Sequence, residues 1–110
     1  MSFYSIEILE AAEADVQEIQ DYIANKLLNP IAAIRRVTLI EQAIASLKVK
    51  PSRIALVRDD CLALKGYRMI VVKNHLVFFI VREETKQVFI MRVLYGRRNW
   101  QNILKEEISP

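Results

Sequence analysis

The sequence predicts an α+β fold in which an antiparallel helical hairpin packs on one face of a small β-sheet. Three observations predict it: a short alternating segment near the start of the chain, two longer segments with helical periodicity, and three consecutive β-rich segments joined by short loops. The chain has 110 residues, of which 53% are hydrophobic and 26% charged, as is typical of one globular domain with its own core. We therefore expect residues 1–110 to form a single domain.

The first strand and the helical hairpin follow from local patterns. A strand is predicted at residues 4–9, where apolar and polar side chains alternate. Residues 11–28 predict an amphipathic helix, because their apolar positions are three or four residues apart: Ala12, Val16, Ile19, Ile23 and Leu27. Asn29 as N-cap and Pro30 in the first turn begin a second helix, which runs to about Lys48. Its apolar stripe consists of Ala33, Val37, Ile40, Ile44 and Leu47. Because the connection is short, the two helices are expected to be antiparallel.

The second half of the chain predicts an antiparallel meander. Residues 53–65 show no clear periodicity and are expected to form an irregular connection. Three strands joined by short turns follow, at residues 67–72, 75–81 and 87–95. The middle strand is almost continuously apolar, so we expect it to be buried on both faces. Residues 97–105 predict a short basic helix, with a frayed end at 106–110, and its anchoring side chains are Trp100, Ile103 and Leu104. The sheet face opposite the hairpin is expected to stay available.

Composition excludes several classes of protein. The single cysteine, Cys61, cannot form a disulfide within the chain, which favours a reducing cytoplasm, and no apolar run approaches the roughly 18 residues that span a bilayer. Two glycines leave no room for a glycine-rich phosphate loop. One histidine and one cysteine fall short of the four ligands that zinc prefers, so no metal and no cofactor are expected. A Ser-His-Asp hydrolase is disfavoured because no serine lies in a nucleophile-elbow motif.

Charge is distributed unevenly along the chain. Residues 1–50 carry five basic and seven acidic side chains, a balance of −2, whereas residues 51–110 carry eleven basic and six acidic ones, a balance of +5. If the basic residues of the second part share a surface, that surface should attract phosphate groups or an acidic protein partner. The alternative is that these side chains only solvate the outer faces of the strands.

Five cationic side chains lie on or just after the predicted meander strands: Arg68, His75, Arg92, Arg97 and Arg98. Metal-free RNA cleavage by a 2′-hydroxyl needs a base, an acid and fixed positive charge near the phosphorane. The arginines would supply the charge, and His75, at the start of a strand, is the candidate proton carrier. The alternatives are that His75 is an exposed bystander and that Arg97 and Arg98 are solvated. Tyr95, beside this basic corner, could stack on a base.

Several segments together resemble a known family. They are the opening strand leading into Ala-Ala-Glu-Ala-Asp-Val-Gln-Glu-Ile-Gln-Asp-Tyr-Ile, the hairpin broken at Asn29-Pro30, Gly66-Tyr67-Arg68, and the ending Ile90-Met-Arg-Val-Leu-Tyr-Gly-Arg-Arg-Asn-Trp100. In this order they resemble the RelE/ParE superfamily of bacterial type II toxin–antitoxin toxins. The resemblance implies a RelE/ParE-like fold and a growth-inhibiting toxin, neutralised by a cognate antitoxin in a hetero-oligomer.

The superfamily resemblance leaves two activities open. RelE-like members cut mRNA in the ribosomal A site, and by position Arg68 and Arg98 match basic residues of those RNases, with His75 and Tyr95 as proton carriers. ParE-like members poison DNA gyrase, and Arg92, Arg97 and Arg98 would then bind the target. The tail at residues 101–110 has no tyrosine or histidine, which slightly favours the ParE-like activity. A member retained only for binding its antitoxin is a third alternative.

Overall fold

Residues 3–108 are described by this computed structural model, and within them four strands form one sheet in the order β1-β4-β3-β2. The strands are β1 (Ser5–Ile8), β2 (Tyr67–Val72), β3 (His75–Arg82) and β4 (Gln87–Tyr95). The α-helices are α1 (Glu10–Asp21), α2 (Pro30–Ser46), α3 (Asp60–Leu64) and α4 (Trp100–Ile108). In this part of the chain no helix is both long and apolar enough to cross a membrane. The predicted α+β class and the predicted order of the main elements are confirmed.

The meander is built as predicted, with β3 antiparallel to both β2 and β4. The central strand is buried along 75–79, which confirms that apolar residues face both sides of the sheet there. β1 lies parallel to β4, from Ser5 opposite Gln87 to Ile8 opposite Ile90. Met91 is an extra residue in β4, because Phe79 lies opposite Ile90 while Phe78 lies opposite Arg92. This β-bulge lets β4 change the direction of its side chains beyond the end of β1.

The helical hairpin turns where the sequence predicts it. The Asn29 side chain accepts a hydrogen bond from the Ala32 backbone N–H at 3.1 Å. Pro30 is the first residue of α2, a position whose backbone N–H has no partner within the helix, so the N–H that proline lacks is not needed there. Before the turn, α1 continues into a π-helical turn at Tyr22–Lys26. Leu28, between the two helices, has a φ of 52°, in the left-handed region. The predicted end of α2 at Lys48 is two residues too late, because the helix ends at Ser46.

Two apolar clusters hold the layers together. On one face of the sheet, the hairpin packs on β3 through Ala12, Ile40, Ile44, Val77 and Phe79. On the other face, α3 and α4 pack against the sheet through Leu62, Leu104, Phe78, Leu94 and the partly buried Trp100. The Phe78 and Trp100 ring centroids are 5.1 Å apart. Burial of these side chains from both faces supplies the main stabilisation of the sheet.

The expectation that the second face of the sheet stays available is therefore wrong. Part of the cover is α3, which forms within the stretch that showed no periodicity and is only five residues long, too short for a helical repeat to be recognised. The rest is α4, which begins at Trp100 rather than at residue 97 and extends through the predicted frayed residues 106–108. Residues 109–110 lie outside the described part of the chain.

Candidate functional site

An open cleft of about 600 Å³ lies between the end of the helical hairpin and one end of the sheet. Its hairpin side is mainly apolar and includes Ile19, Tyr22, Ile23 and Leu27. Its sheet side is polar and includes Asn74, His75, Tyr95 and Arg98, with Arg36 of α2 beside them. The cleft thus offers an apolar wall beside a cationic and aromatic one, a combination that suits an amphipathic ligand.

His75 is buried at the inner end of this cleft, with 7% of its surface exposed. Its Nδ1 atom is 3.0 Å from the Nη1 atom of Arg36, which also donates to the Asn74 side-chain oxygen at 2.5 Å. Because a guanidinium can only donate, Nδ1 must accept, and the neutral ring carries its proton on Nε2. The expectation in this alternative that His75 is exposed is wrong, because Arg36 of α2 covers the start of β3, and a role of His75 in function stays a prediction.

Burial, and secondly the positive charge of Arg36, lower the pKa of His75 below its ordinary value of 6.5. The imidazole is therefore mainly uncharged at neutral pH and does not add to the fixed positive charge of the cleft. Tyr95 lies directly opposite His75 across the β3–β4 pair, and the two rings meet edge to face with centroids 5.9 Å apart. The aromatic contact and the Arg36 hydrogen bond fix the orientation of the imidazole.

The basic corner after β4 is exposed. Arg97 and Arg98 are both solvent-accessible, and Arg98 lies at the cleft together with Tyr95. Backbone hydrogen bonds hold the turn, from Arg98 N to the Tyr95 carbonyl at 3.0 Å and from Gly96 N to the Asn74 carbonyl at 2.8 Å. A Cβ on Gly96 would lie 3.3 Å from that same Asn74 carbonyl oxygen, so glycine suits this close approach. The structure thus brings His75, Tyr95 and Arg98 together at one cleft.

Arg68 does not belong to this group. It pairs with Phe79, four residues along β3 from His75, which places it roughly 13 Å along the strand at about 3.3 Å per residue. Its guanidinium donates to the backbone carbonyl of Ile54, and to that of Ser52 at 3.4 Å. Arg68 therefore fastens the irregular segment before α3 to the edge strand β2, at the end of the sheet away from the cleft.

Arg92 is held in ion pairs that link three elements. Its Nε and Nη2 atoms donate to both carboxylate oxygens of Asp15 in α1, at 2.6 and 2.8 Å, and Nη1 donates to Glu107 in α4. The same Asp15 carboxylate accepts the Val93 backbone N–H at 2.9 Å, at the edge of β4 that β1 does not reach. Hydrogen bonding to Asp15 is the main cause that raises the pKa of Arg92. Arg92 thus joins the helices on the two faces of the sheet.

Two residues of this region carried no signal in the sequence. In the sequence, Asp15 is one of several acidic residues on the predicted solvent side of α1, whereas in the structure its side chain is buried, with 6% exposed. Arg36 stands next to Arg35 on a helix that has no other mark of function. Both depend on contacts with strands that follow much later in the chain, which no local pattern reveals. Among the residues that the structure describes, no three His, Cys, Asp or Glu side chains converge on a point where a metal ion could bind.

A small α+β domain with a helical hairpin on a meander, and a cleft between them, defines the class of the RelE/ParE toxins. The family described as "ParE toxin of type II toxin-antitoxin system, parDE" matches residues 6–100. This chain belongs to that family, so the resemblance seen in the sequence is confirmed.

Solved structures share the fold at low sequence identity. The chromosomal ParDE system of Pseudomonas aeruginosa matches with a TM-score of 0.69 and 21% identity, over 84% of this chain and 96% of that one. The RelBE2 toxin–antitoxin complex of Mycobacterium tuberculosis matches with a TM-score of 0.60 and 18% identity, over 86% and 93%. A mutant of the Escherichia coli toxin RelE in the free state matches at 0.63 and 12%, over 96% and 98%. No curated protein sequence matches the chain.

Proposed function

We propose that this chain is the toxin of a type II toxin–antitoxin module and acts in the ParE-like manner, by poisoning DNA gyrase without cutting RNA. The observation that carries the proposal is the separation of the candidate nuclease residues. Arg68 is bound to backbone carbonyls away from the cleft, and His75 is buried against Arg36 with a lowered pKa. Arg68 and Arg98, the pair predicted to stabilise a phosphorane, therefore do not lie around one proton carrier, and the ParE family match supports the ParE-like activity.

The partner that neutralises the toxin is proposed to be a cognate antitoxin. The P. aeruginosa ParDE and M. tuberculosis RelBE2 structures are toxin–antitoxin systems with the same fold, which supports such a partner for this chain. The balance of +5 over residues 51–110 supports an acidic partner. We also propose a cytoplasmic location, where the chain would meet either candidate target, DNA gyrase or mRNA on the ribosome.

Arg97 and Arg98 are proposed to contact the target. Both are exposed beside the cleft, whereas the guanidinium of Arg92 is occupied by Asp15 and Glu107, so a target-binding role for Arg92 stays a prediction that its contacts do not favour. Exposed cations beside an aromatic side chain are suited to bind a phosphate backbone or an acidic protein surface.

The test is the supercoiling activity of purified gyrase with added toxin, with gyrase-dependent DNA breaks as a second readout. We expect inhibition, and we expect the Arg97→Ala/Arg98→Ala variant to need about tenfold or more protein for the same inhibition. The matched control is Arg58→Ala/Lys65→Ala, which removes the same charge from exposed positions outside the cleft and should inhibit like the wild type. Unimpaired gyrase at large toxin excess would contradict the proposal.

A second candidate function is ribosome-dependent mRNA cleavage, because His75, Tyr95 and Arg98 line one cleft. Its test adds the toxin to a reconstituted translation reaction with a defined mRNA and maps 5′ ends by primer extension, with naked mRNA as control. Cuts on translated message alone, lost in Arg98→Ala, would support it. Intact message from a protein that stops growth would leave gyrase poisoning as the activity.

A further inference from the structure

Arg36 is a half-buried cation that has no carboxylate partner among the residues that the structure describes. Its Nη1 atom donates to Asn74 Oδ1 at 2.5 Å and to His75 Nδ1 at 3.0 Å, and both of these acceptors are uncharged. Within residues 3–108, the remaining N–H groups of Arg36, on Nε and Nη2, have no acceptor. A guanidinium that is partly removed from water without a counter-ion is costly, and an anion bound beside it offsets that cost.

His75 offers a second donor at the inner end of the cleft. Because Nδ1 accepts from Arg36, the proton of the neutral ring is on Nε2. No acceptor in the described part of the chain is bonded to Nε2, and no polar side-chain atom there is both buried and unpaired, so Nε2 is reachable from solvent. Since His75 forms part of the cleft wall, this end of the cleft presents donors from a cation and from a neutral ring, a set that recognises an oxyanion.

The two acidic side chains that line the cleft do not neutralise its cations. Both carboxylate oxygens of Asp15 are bonded to Arg92. Glu18 is exposed on α1 and forms no ion pair with Arg36 or Arg98 in the part of the chain between residues 3 and 108. The cleft therefore keeps two cations without a counter-ion.

The hairpin side of the cleft determines which anionic ligand fits. Tyr22 and Leu27 are 57 and 56% exposed there, and the π-helical turn joins them, because the Leu27 N–H donates to the Tyr22 carbonyl at 3.1 Å. Ile19 and Ile23 extend the same apolar wall. A strand of nucleic acid offers little to aliphatic side chains, and Glu18 would repel its phosphates. A peptide, by contrast, can place one carboxylate beside apolar side chains of its own.

We propose that the inner end of the cleft is a carboxylate-binding site, in which Arg36 and the Nε2–H of His75 hold an acidic side chain of a protein segment whose apolar neighbours pack against the hairpin wall. Asn74 is a positioning residue, because it holds the guanidinium of Arg36 through Nη1. The inference deepens the proposed function and rests on it for the acidic protein partner. Its test uses neither gyrase nor an antitoxin, so a failure of gyrase poisoning and a failure of this site give different results.

The experiment is a titration of the free chain with the blocked peptide acetyl-Leu-Glu-Leu-Leu-Glu-Leu-amide, measured by calorimetry and by NMR of the His75 ring. His75 is the only histidine of the chain, so its imidazole signals are unambiguous. We expect a dissociation constant on the order of 100 µM and a shift of the imidazole signals. The same peptide with Gln in place of both Glu residues should bind at least about tenfold more weakly, because a neutral amide makes weaker hydrogen bonds to a guanidinium than a carboxylate does.

Two variants test the site, and a neighbouring arginine is the control. Arg36→Gln keeps a donor near His75 but removes the charge, and it should weaken binding of the Glu peptide about tenfold or more. Asn74→Asp places a carboxylate at a position 2.5 Å from the guanidinium, so it should compete with the peptide and weaken binding without lowering the urea midpoint. Arg35→Gln removes the same charge from an exposed residue of α2 outside the cleft and should bind like the wild type.

Four results would overturn the proposal. The first is equal affinity for the Glu and Gln peptides, and the second is a titration that leaves the His75 signals unmoved. The third is an equal loss of binding in Arg36→Gln and Arg35→Gln, which would show only a general effect of charge. The fourth is a hexathymidylate that binds more tightly than the Glu peptide and loses its affinity in Arg36→Gln, which would assign the cleft to nucleic acid. If Arg36→Gln does not fold, Asn74→Asp decides, because undiminished binding of the Glu peptide in that variant contradicts the site.

Discussion

The two ends of the sheet are fastened to their surroundings in different ways. At the end beside the cleft the ties are buried: Arg92 is bonded to Asp15, and Arg36 to His75. At the other end the ties are exposed. Glu83 accepts hydrogen bonds from the hydroxyl groups of Tyr4 and Ser52, each at 2.5 Å, and lies 3.7 Å from the Lys86 ammonium group.

The buried and the exposed contacts differ in how much they stabilise the fold. Exposed ion pairs stabilise a fold only slightly, whereas a buried charge that loses its partner is costly. The end with the cleft is therefore the end where single changes should unfold the protein, although it is also where the exposed Arg97 and Arg98 lie. Variants that test function must avoid the buried ties beside them.

The largest effect is expected from Asp15→Ala. It leaves the guanidinium of Arg92 half-paired, with 15% of its side chain exposed, and it removes the acceptor of the Val93 N–H. We expect a loss of about 3–5 kcal/mol in the free energy of unfolding, measured by urea denaturation. Glu107→Gln, which affects only the more exposed partner of Arg92, is the control and should cost much less. Equal losses of unfolding free energy in the two variants would show that the Asp15–Arg92 ion pair stabilises the fold no more than the Arg92–Glu107 ion pair does.

A smaller effect is expected from pH, through His75. Its folded pKa lies below the ordinary value of 6.5, so the unfolded chain takes up a proton first as pH falls. Stability contributed by the neutral imidazole is fully present above about 6.5 and decreases at lower pH until the folded pKa is reached, at about 1.4 kcal/mol per unit at most.

The measurement for His75 is the free energy of unfolding between pH 8 and 5. His75→Gln keeps an acceptor near Arg36 and should flatten the curve in that window, because His75 is the only histidine of the chain. An unchanged slope in the variant would assign the dependence to other groups and contradict the geometry around Nδ1.

The smallest effect is expected at the exposed end. The hydrogen bond from Ser52, and then that from Tyr4, lower the pKa of Glu83 below 4.5. The associated stability is present above about pH 4.5 and is lost as the carboxylate is protonated at lower pH. Because these contacts are exposed, Glu83→Gln should lower the urea midpoint at pH 7 only slightly, and the difference from the wild type should disappear as the pH falls below about 4.5. A large loss at neutral pH would show that the two ends are fastened equally well.

The parts of the fold that could be predicted depend on neighbours in sequence. The Asn29-Pro30 break and the meander follow from capping, turn and β-propensity signals within a few residues. The cover on the second face of the sheet was missed because α3 is a single short helix and because its anchor, Leu62, stands among residues without a period.

The candidate site was only partly predictable for the same reason. His75, Tyr95 and Arg98 could be named because they lie on or beside one β-hairpin, and the register brings them together. Arg36 lies 39 residues before its contact, His75, and Asp15 lies 77 residues before Arg92, so nothing local connects them. Arg68 was assigned to the site by residue type, whereas its place on the edge strand takes it to the other end.

The pairing of β1 with β4 sets the order in which the molecule can be completed during synthesis. Ser5 lies beside Gln87, and Tyr4 donates its backbone N–H to the Lys48 carbonyl, so the earliest strand has no sheet to join until the last strand has left the ribosome. Such distant pairing slows folding relative to local contacts. A nascent chain therefore cannot complete its sheet, or the part of the cleft that contains Tyr95 and Arg98, until nearly all of it has been synthesised.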